Sequence, residues 1–327
     1  MNKPLHLQYA EGLRSGDRAM LARAITLTES TNLEHRILAE KILEAVLPFT
    51  GKAIRLGITG VPGVGKSTCI EQMGLHYIQQ GKSVAVLAID PTSTRTQGSI
   101  LGDKTRMTAL SANPMAFIRP SPSTGVLGGI GAHTYESMLL CEAAGFEVIC
   151  IETVGVGQSE TDVQKLCDVF ILLMLAGAGD ELQGMKKGIM EWVDILVVNK
   201  ADGANITQAE TAANVYQQSL HWFPQNLYAW KPRAVCASSI NPDGILAVIQ
   251  TIDNFFNHMH ENNRLSQKRK AQVVSHFKQL LQHEWMQLFW KNLHTNHDIE
   301  QDFLQDDFNP YTALKTEKER WRNQFNL

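Results

Sequence analysis

The chain has 327 residues, 44% of them apolar and 19% charged, with a formal net charge of −3, the balance of an ordinary globular protein that buries a core. A pI near 6.4 excludes the strong basic bias of a nucleic-acid or anionic-membrane binder. Met1–Arg18 lacks the apolar core of a signal peptide, and the longest apolar run, Phe170–Ala176, falls short of a membrane span and suits a buried strand.

From the amino end, residues 1–50 read as a helical extension. Met20, Leu21, Ala24, Ile25 and Leu27 follow Asp17, which is placed to cap them, and Leu33, Ile37, Leu38, Ile42, Leu43 and Val46 recur at helical spacing until Pro48. Over 51–260 the pattern changes to short β-branched runs: Ile54–Thr59, Ser83–Asp90, Phe146–Glu152, Val169–Leu175, Asp194–Asn199 and Ala234–Ala237, with a shorter one at Phe117–Arg119. Continuously apolar runs interleaved with helix-length segments predict an α/β fold, a mainly parallel sheet covered by helices on both faces. Ligands of such sheets gather beyond the carboxyl ends of the strands. Over 261–327 the chain reads as a C-terminal helical arm. Val273, Val274, Phe277, Leu280, Leu281, Trp285, Leu288, Phe289 and Leu293 repeat at three and four, forming a face that either packs on the domain or joins two subunits. Lys268–Arg269–Lys270 reads as a solvated helix face. Cys69, Cys141, Cys150, Cys167 and Cys236 show no C-x-x-C pairing and read as reduced core thiols of a cytoplasmic protein.

The chemistry begins at Gly60, Val61, Pro62, Gly63, Val64, Gly65, Lys66 and Ser67, which match G-x-x-x-x-G-K-[ST] between a strand and a helix. In such a loop backbone N–H groups curl around phosphates, the lysine neutralises β- and γ-phosphate oxygens, and the serine hydroxyl ligates Mg²⁺. Thr68 continues the motif into the helix. Downstream, Asn199, Lys200 and Asp202 follow a strand in the order N-K-x-D; the carboxylate can accept from both N1–H and the 2-amino group of guanine, a donor pair adenine lacks. GTP and GDP are therefore the expected nucleotides. Ala237, Ser238 and Ser239 at the end of the last strand fit, more weakly, the loop that backs the base. Asp90 and Glu152 each end a strand and are the candidate metal carboxylates, Glu152 within a D-x-x-G-like switch in which Gly155 offers its N–H to the γ-phosphate. Val156 stands where Ras-like enzymes carry a water-orienting Gln, so slow intrinsic hydrolysis is expected. The Gly-rich, charged segment 177–188 is the candidate source of the missing catalytic group. Asp103, on a polar loop, is ambiguous by itself.

Together, Gly60–Thr68, Leu87–Pro91, 98–107, 152–160, 179–188 and 199–203 resemble the MeaB/ArgK family, the methylmalonyl-CoA mutase-associated GTPases of the SIMIBI class. The resemblance implies a P-loop NTPase with N-terminal helices and a C-terminal helical dimerisation arm, present as a homodimer. It implies a G-protein chaperone that gates cofactor loading of an adenosylcobalamin-dependent acyl-CoA mutase and protects it. It also implies that Ser67, Asp90, Asp103 and Glu152 form the Mg²⁺ shell. Segment 180–188 becomes a third switch bringing Gln183 and Lys186 to the nucleotide. Thr94, Gln97, Ala178 and the stretch Ser123, Thr124, Gly125 depart from the pattern of some or all members. Two other readings attach to the same scaffold. One is a kinase of a periplasmic arginine/ornithine transport protein, for which no acceptor base stands out. The other is a targeting or metal-insertion protein, which would want methionine or His/Cys clustering that this chain does not show.

Overall fold

In the computed structural model of the chain, the residues described are 3–90, 106–122, 129–153, 163–177, 187–223 and 228–296, with single positions between 309 and 322. They divide into two compact units, Met1–His276 and Phe277–Leu327.

The first unit opens with three helices, α1 (Leu5–Arg14), α2 (Arg18–Thr28) and α3 (Leu33–Val46). The Asp17 side chain accepts from the N–H groups of Ala19 and Met20, which makes it the cap of α2 that the sequence predicts. Asn32 caps α3 in the same way through Glu34 and His35. α1 has no side-chain cap and buries only Ala10 and Leu13, which is why no separate signal for it stands out in the sequence. A 3₁₀ turn containing Pro48 ends α3.

Seven strands follow: β1 (Ile54–Gly60), β2 (Val84–Asp90), β3 (Ala116–Pro122), β4 (Val148–Glu152), β5 (Val169–Leu175), β6 (Ile195–Asn199) and β7 (Arg233–Cys236). They form one sheet in the order β3-β2-β4-β1-β5-β6-β7, every neighbouring pair parallel. The expected α/β fold is thus borne out. β3 is longer than Phe117–Arg119 predicts. Its Pro120 and Pro122 weaken the strand signal, and they are tolerated because β3 lies at the sheet edge. The longer crossover helices are α4 (Lys66–Gln79), α5 (Gly129–Ala143) and α6 (Ile206–Leu220), and α7 (Leu246–His260) follows the last strand. Strand side chains alternate between two cores. Phe170, Leu172 and Met174 of β5 join the core shared with α1–α3, α5 and α6, while Val169, Ile171 and Leu173 join the one shared with α4 and α7. Four of the five cysteines are buried and all are free. Burial pushes the Cys69 and Cys167 thiols up to about 12, and those of Cys141 and Cys150 higher, so they are inert core groups.

The amino edge of the sheet is closed by an ionic clamp. A parallel sheet leaves strand-leading N–H groups without ladder partners, and here two buried carboxylates take them. Asp168 accepts from Arg55 N–H at 2.9 Å and Asp194 from Phe170 N–H at 3.0 Å. The charge on Asp168 is met by the long helix α8 (Arg264–Asn296), whose Arg269 reaches its two carboxylate oxygens at 2.9 and 2.6 Å. Arg269 also donates to the carbonyls of Gly51 and Ala53, both at 2.6 Å. Lys268 donates to the Asp168 carbonyl and lies 3.7 Å from the Asp194 carboxylate, and Gln272 donates to the Cys167 carbonyl at 2.7 Å. Burial alone would lower the Lys268 ammonium pKa, but Asp194 and Asp168 outweigh it and hold it above its usual value. The reading of 268–270 as a solvated face is therefore corrected for Lys268 and Arg269. Helical periodicity carries no information about the buried acids they pair with, more than seventy positions earlier in the chain.

In the second unit α8 continues to Asn296 and exposes Phe277, Leu281, Trp285 and Leu288, each between 46% and 61% accessible. Among the described residues no helix is long and apolar enough to cross a membrane.

The clamp leads to a stability prediction. Arg269→Met strands the fully buried Asp168 charge and should cost about 3 kcal/mol in urea unfolding. Lys3→Ala, which breaks the exposed Lys3–Glu11 pair, should cost less than about 1 kcal/mol. Equal losses in the two variants would show that Asp168 does not depend on Arg269.

Candidate nucleotide site

β1 turns into α4 through the glycine-rich loop at the point where the strand order reverses, β1 being flanked by β4 and β5. Two glycines are dictated by space. A Cβ on Gly60 would stand 2.5 Å from the Leu173 carbonyl oxygen. One on Gly65, whose φ is +95°, would stand 2.7 Å from Asn199 Nδ2. Val64 is buried beneath the loop, while Pro62 and Gly63 form its exposed crest beside Val61. Lys66, buried, curls back so that Nζ donates to the Gly60 carbonyl at 2.7 Å and to Val61 at 3.3 Å. The cation thus sits over a loop whose N–H groups and helix terminus already favour an anion. Thr68 follows, half-buried, in the first turn of α4.

The residues of the two base motifs that the sequence singles out converge from β6 and β7. Asn199 is buried and donates from Nδ2 to the Val64 carbonyl at 2.8 Å; its Oδ1 accepts from the Ser239 hydroxyl at 2.7 Å. This chain joins the phosphate loop to both base-side segments. Lys200 adopts a left-handed φ of +59°, which turns the chain sharply toward Asp202. Asp202 precedes a 3₁₀ turn without capping it, and its carboxylate accepts from the Ser238 hydroxyl at 2.8 Å. Ala237 is held by ladder bonds from its N–H to Val198 and from Ala201 N–H to its carbonyl, both 2.9 Å. All six positions from the two base motifs are therefore within one connected patch.

On the other side of β1, the Ser67 hydroxyl donates to Glu152 Oε1 at 3.0 Å. A hydroxyl and a carboxylate oxygen held side by side at the loop are the hard donors that Mg²⁺ takes, so the residues present fit that ion. Asp90 closes β2 two residues beyond Ala88, the position level with Glu152; its side chain lies outside the described residues. So do Asp103, Gly155, Gln183 and Lys186.

This arrangement of fold and site defines a P-loop GTPase. The family described as methylmalonyl Co-A mutase-associated GTPase MeaB matches residues 21–294, and the chain belongs to that family. GTPase ArgK of Escherichia coli is 42% identical over 320 residues, covering 96% of each chain. A probable GTPase of Mycobacterium tuberculosis is 48% identical over 283 residues, 86% of this chain and 84% of that one. A crystal structure of an LAO/AO transport system kinase matches with a TM-score of 0.76 at 35% identity, over 98% of this chain and 99% of the other.

The Asp202–Ser238 pair yields a specificity prediction. Asp202→Asn should weaken GDP binding by at least about a hundredfold and raise affinity for xanthosine diphosphate, whose 2-keto group can pair with the amide. Calorimetric titration of both nucleotides measures this; unchanged GDP affinity would remove Asp202 from base recognition.

Proposed function

We propose that this GTPase is the G-protein chaperone of an adenosylcobalamin-dependent acyl-CoA mutase of the methylmalonyl-CoA type, gating cofactor loading and protecting the mutase, and that it acts in the cytoplasm. The observation that carries the proposal is the joined site, in which one loop is bonded to the guanine-reading strand end through Asn199 and faces a metal-competent carboxylate through Ser67. The mutase-associated family it belongs to supplies the partner class. In this reading Gly60–Thr68 cradle the phosphates, Lys66 meets charge that develops on the γ-phosphoryl group, and Asn199, Lys200, Asp202 and Ala237–Ser239 hold guanine. Ser67, Asp90, Asp103 and Glu152 hold Mg²⁺, which when bound neutralises charge on the phosphate oxygens. The Gly155 N–H meets the γ-phosphate.

Because Val156 cannot orient water, basal turnover is slow, and Gln183 and Lys186 enter the site when the mutase reorders their segment. The alternative, a kinase of an amino-acid transport protein, is less well supported, since no base for a protein acceptor stands out and guanine selection is unusual for such a kinase. Dimerisation uses α8, and the exposed Phe277, Leu281, Trp285 and Leu288 support that reading.

Two experiments test this. Single-turnover hydrolysis with and without the mutase should show Lys186→Ala keeping basal rate and GTP affinity while losing most stimulation, with Gln183→Ala milder; full stimulation of a Lys186→Ala protein that still binds the mutase would refute the third-switch role. A chain ended after His276 retains Lys268, Arg269 and Gln272 and should be a monomer by light scattering that binds GDP as the full chain does. A dimer of unchanged size would rule out the arm as the interface.

A further inference from the structure

Directly beneath the nucleotide loop, two threonine hydroxyls meet in the core. Thr153 Oγ1 donates to Thr59 Oγ1 at 2.8 Å, and both residues are inaccessible to solvent. The pair bridges β1 and β4 one step beyond the register match of Ile58 with Glu152, where Thr153 N–H makes a last ladder bond to the Ile58 carbonyl at 3.1 Å. Valine has the shape of threonine and would fill the same space. Burying hydroxyls in place of methyls is costly unless they are hydrogen-bonded, and the bond between these two is directional.

Their neighbours indicate what they direct. Thr59 immediately precedes Gly60, whose carbonyl receives the Lys66 ammonium, and Thr153 immediately follows Glu152, whose carboxylate receives the Ser67 hydroxyl. The hydroxyl bond therefore ties together the two peptide units that carry the phosphate side and the carboxylate side of the site. Glu152 is the last residue of β4 in register with both β1 and β2, so the hydroxyl bond carries the link between β1 and β4 one residue further, and a shift of about 1 Å between reacting groups is enough to matter.

We propose that Thr153 is a positioning residue for the GTPase reaction, its hydroxyl bond to Thr59 keeping the Glu152 carboxylate in register with Ser67. This rests on the assignment of Glu152 to the Mg²⁺ shell. The test measures the Mg²⁺ concentration that gives half-maximal retention of a fluorescent GDP, together with affinity for the same nucleotide in EDTA. Thr153→Val and Thr59→Val should each raise the Mg²⁺ half-point by about three- to tenfold while leaving the EDTA affinity within about twofold. The double variant should match either single one, and Thr153→Ser, which keeps the hydroxyl, should restore the wild-type value. If circular dichroism shows that Thr153→Val does not fold, Thr59→Val carries the same test. A wild-type half-point in the valine variants, or an equal loss of binding with and without metal, overturns the proposal. Glu152→Gln, run alongside, separates it from the assignment beneath it. No change in that variant removes Glu152 from the metal shell, whereas a change there without one in Thr153→Val overturns the hydroxyl role alone.

Discussion

The bond from the Asn199 amide to the Val64 carbonyl, 2.8 Å across the carboxyl edge of the sheet, is the contact around which the site is organised. It joins the glycine-rich loop to the strand end that carries the N-K-x-D motif. It also sets the local backbone, since the Asn199 amide occupies the space that any side chain at residue 65 would need. Ser239 holds the other end of the same amide, and in the proposed reading the order β1-β5-β6-β7 across the sheet becomes an order of nucleotide parts, phosphate at β1 and base between β6 and β7. Parallel strands make this possible because all of them deliver their carboxyl ends to one edge.

The opposite edge faces the complementary problem, a row of leading N–H groups and no ligand to use them. Asp168 and Asp194 satisfy two of these groups with charge, and the first turns of α8 supply the counter-charge. One consequence is that the root of the long helix is part of the catalytic unit in energetic terms. Gln272 and Lys268 grip Cys167 and Asp168, which lead into β5, while Cys167 packs against Gly57 of β1, where an added Cβ would meet its sulfur at 2.6 Å. Buried charge pairs of this kind gain little net stability but penalise every arrangement that separates them, which favours a single seating of the helix root on the sheet.

In the proposed reading the metal side draws on separate elements, the ends of β2 and β4 and the serine on the helix between β1 and β2. No local segment brings Ser67 to Glu152, because the two stand 85 positions apart and the sheet register sets where they meet.

Much of this was legible in the residues alone. The strand runs, the Asp17 cap, the loop motif and the guanine-reading motif are local signals, encoded within a few positions by period, capping chemistry and glycine spacing, and so survive reading in one dimension. The family resemblance drew on the same short motifs. What the sequence by itself determined was therefore the class of fold, the nucleotide and the strand ends where they meet. Only the tertiary structure decided that Lys268 and Arg269 pair with buried carboxylates, that Ser238 donates to Asp202, and that Thr59 and Thr153 bond beneath the loop. Each of these joins residues 36 to 101 positions apart through a pairing of polar groups. Sequence periodicity reports where apolar side chains fall, and it is silent about which distant polar group a buried one will find.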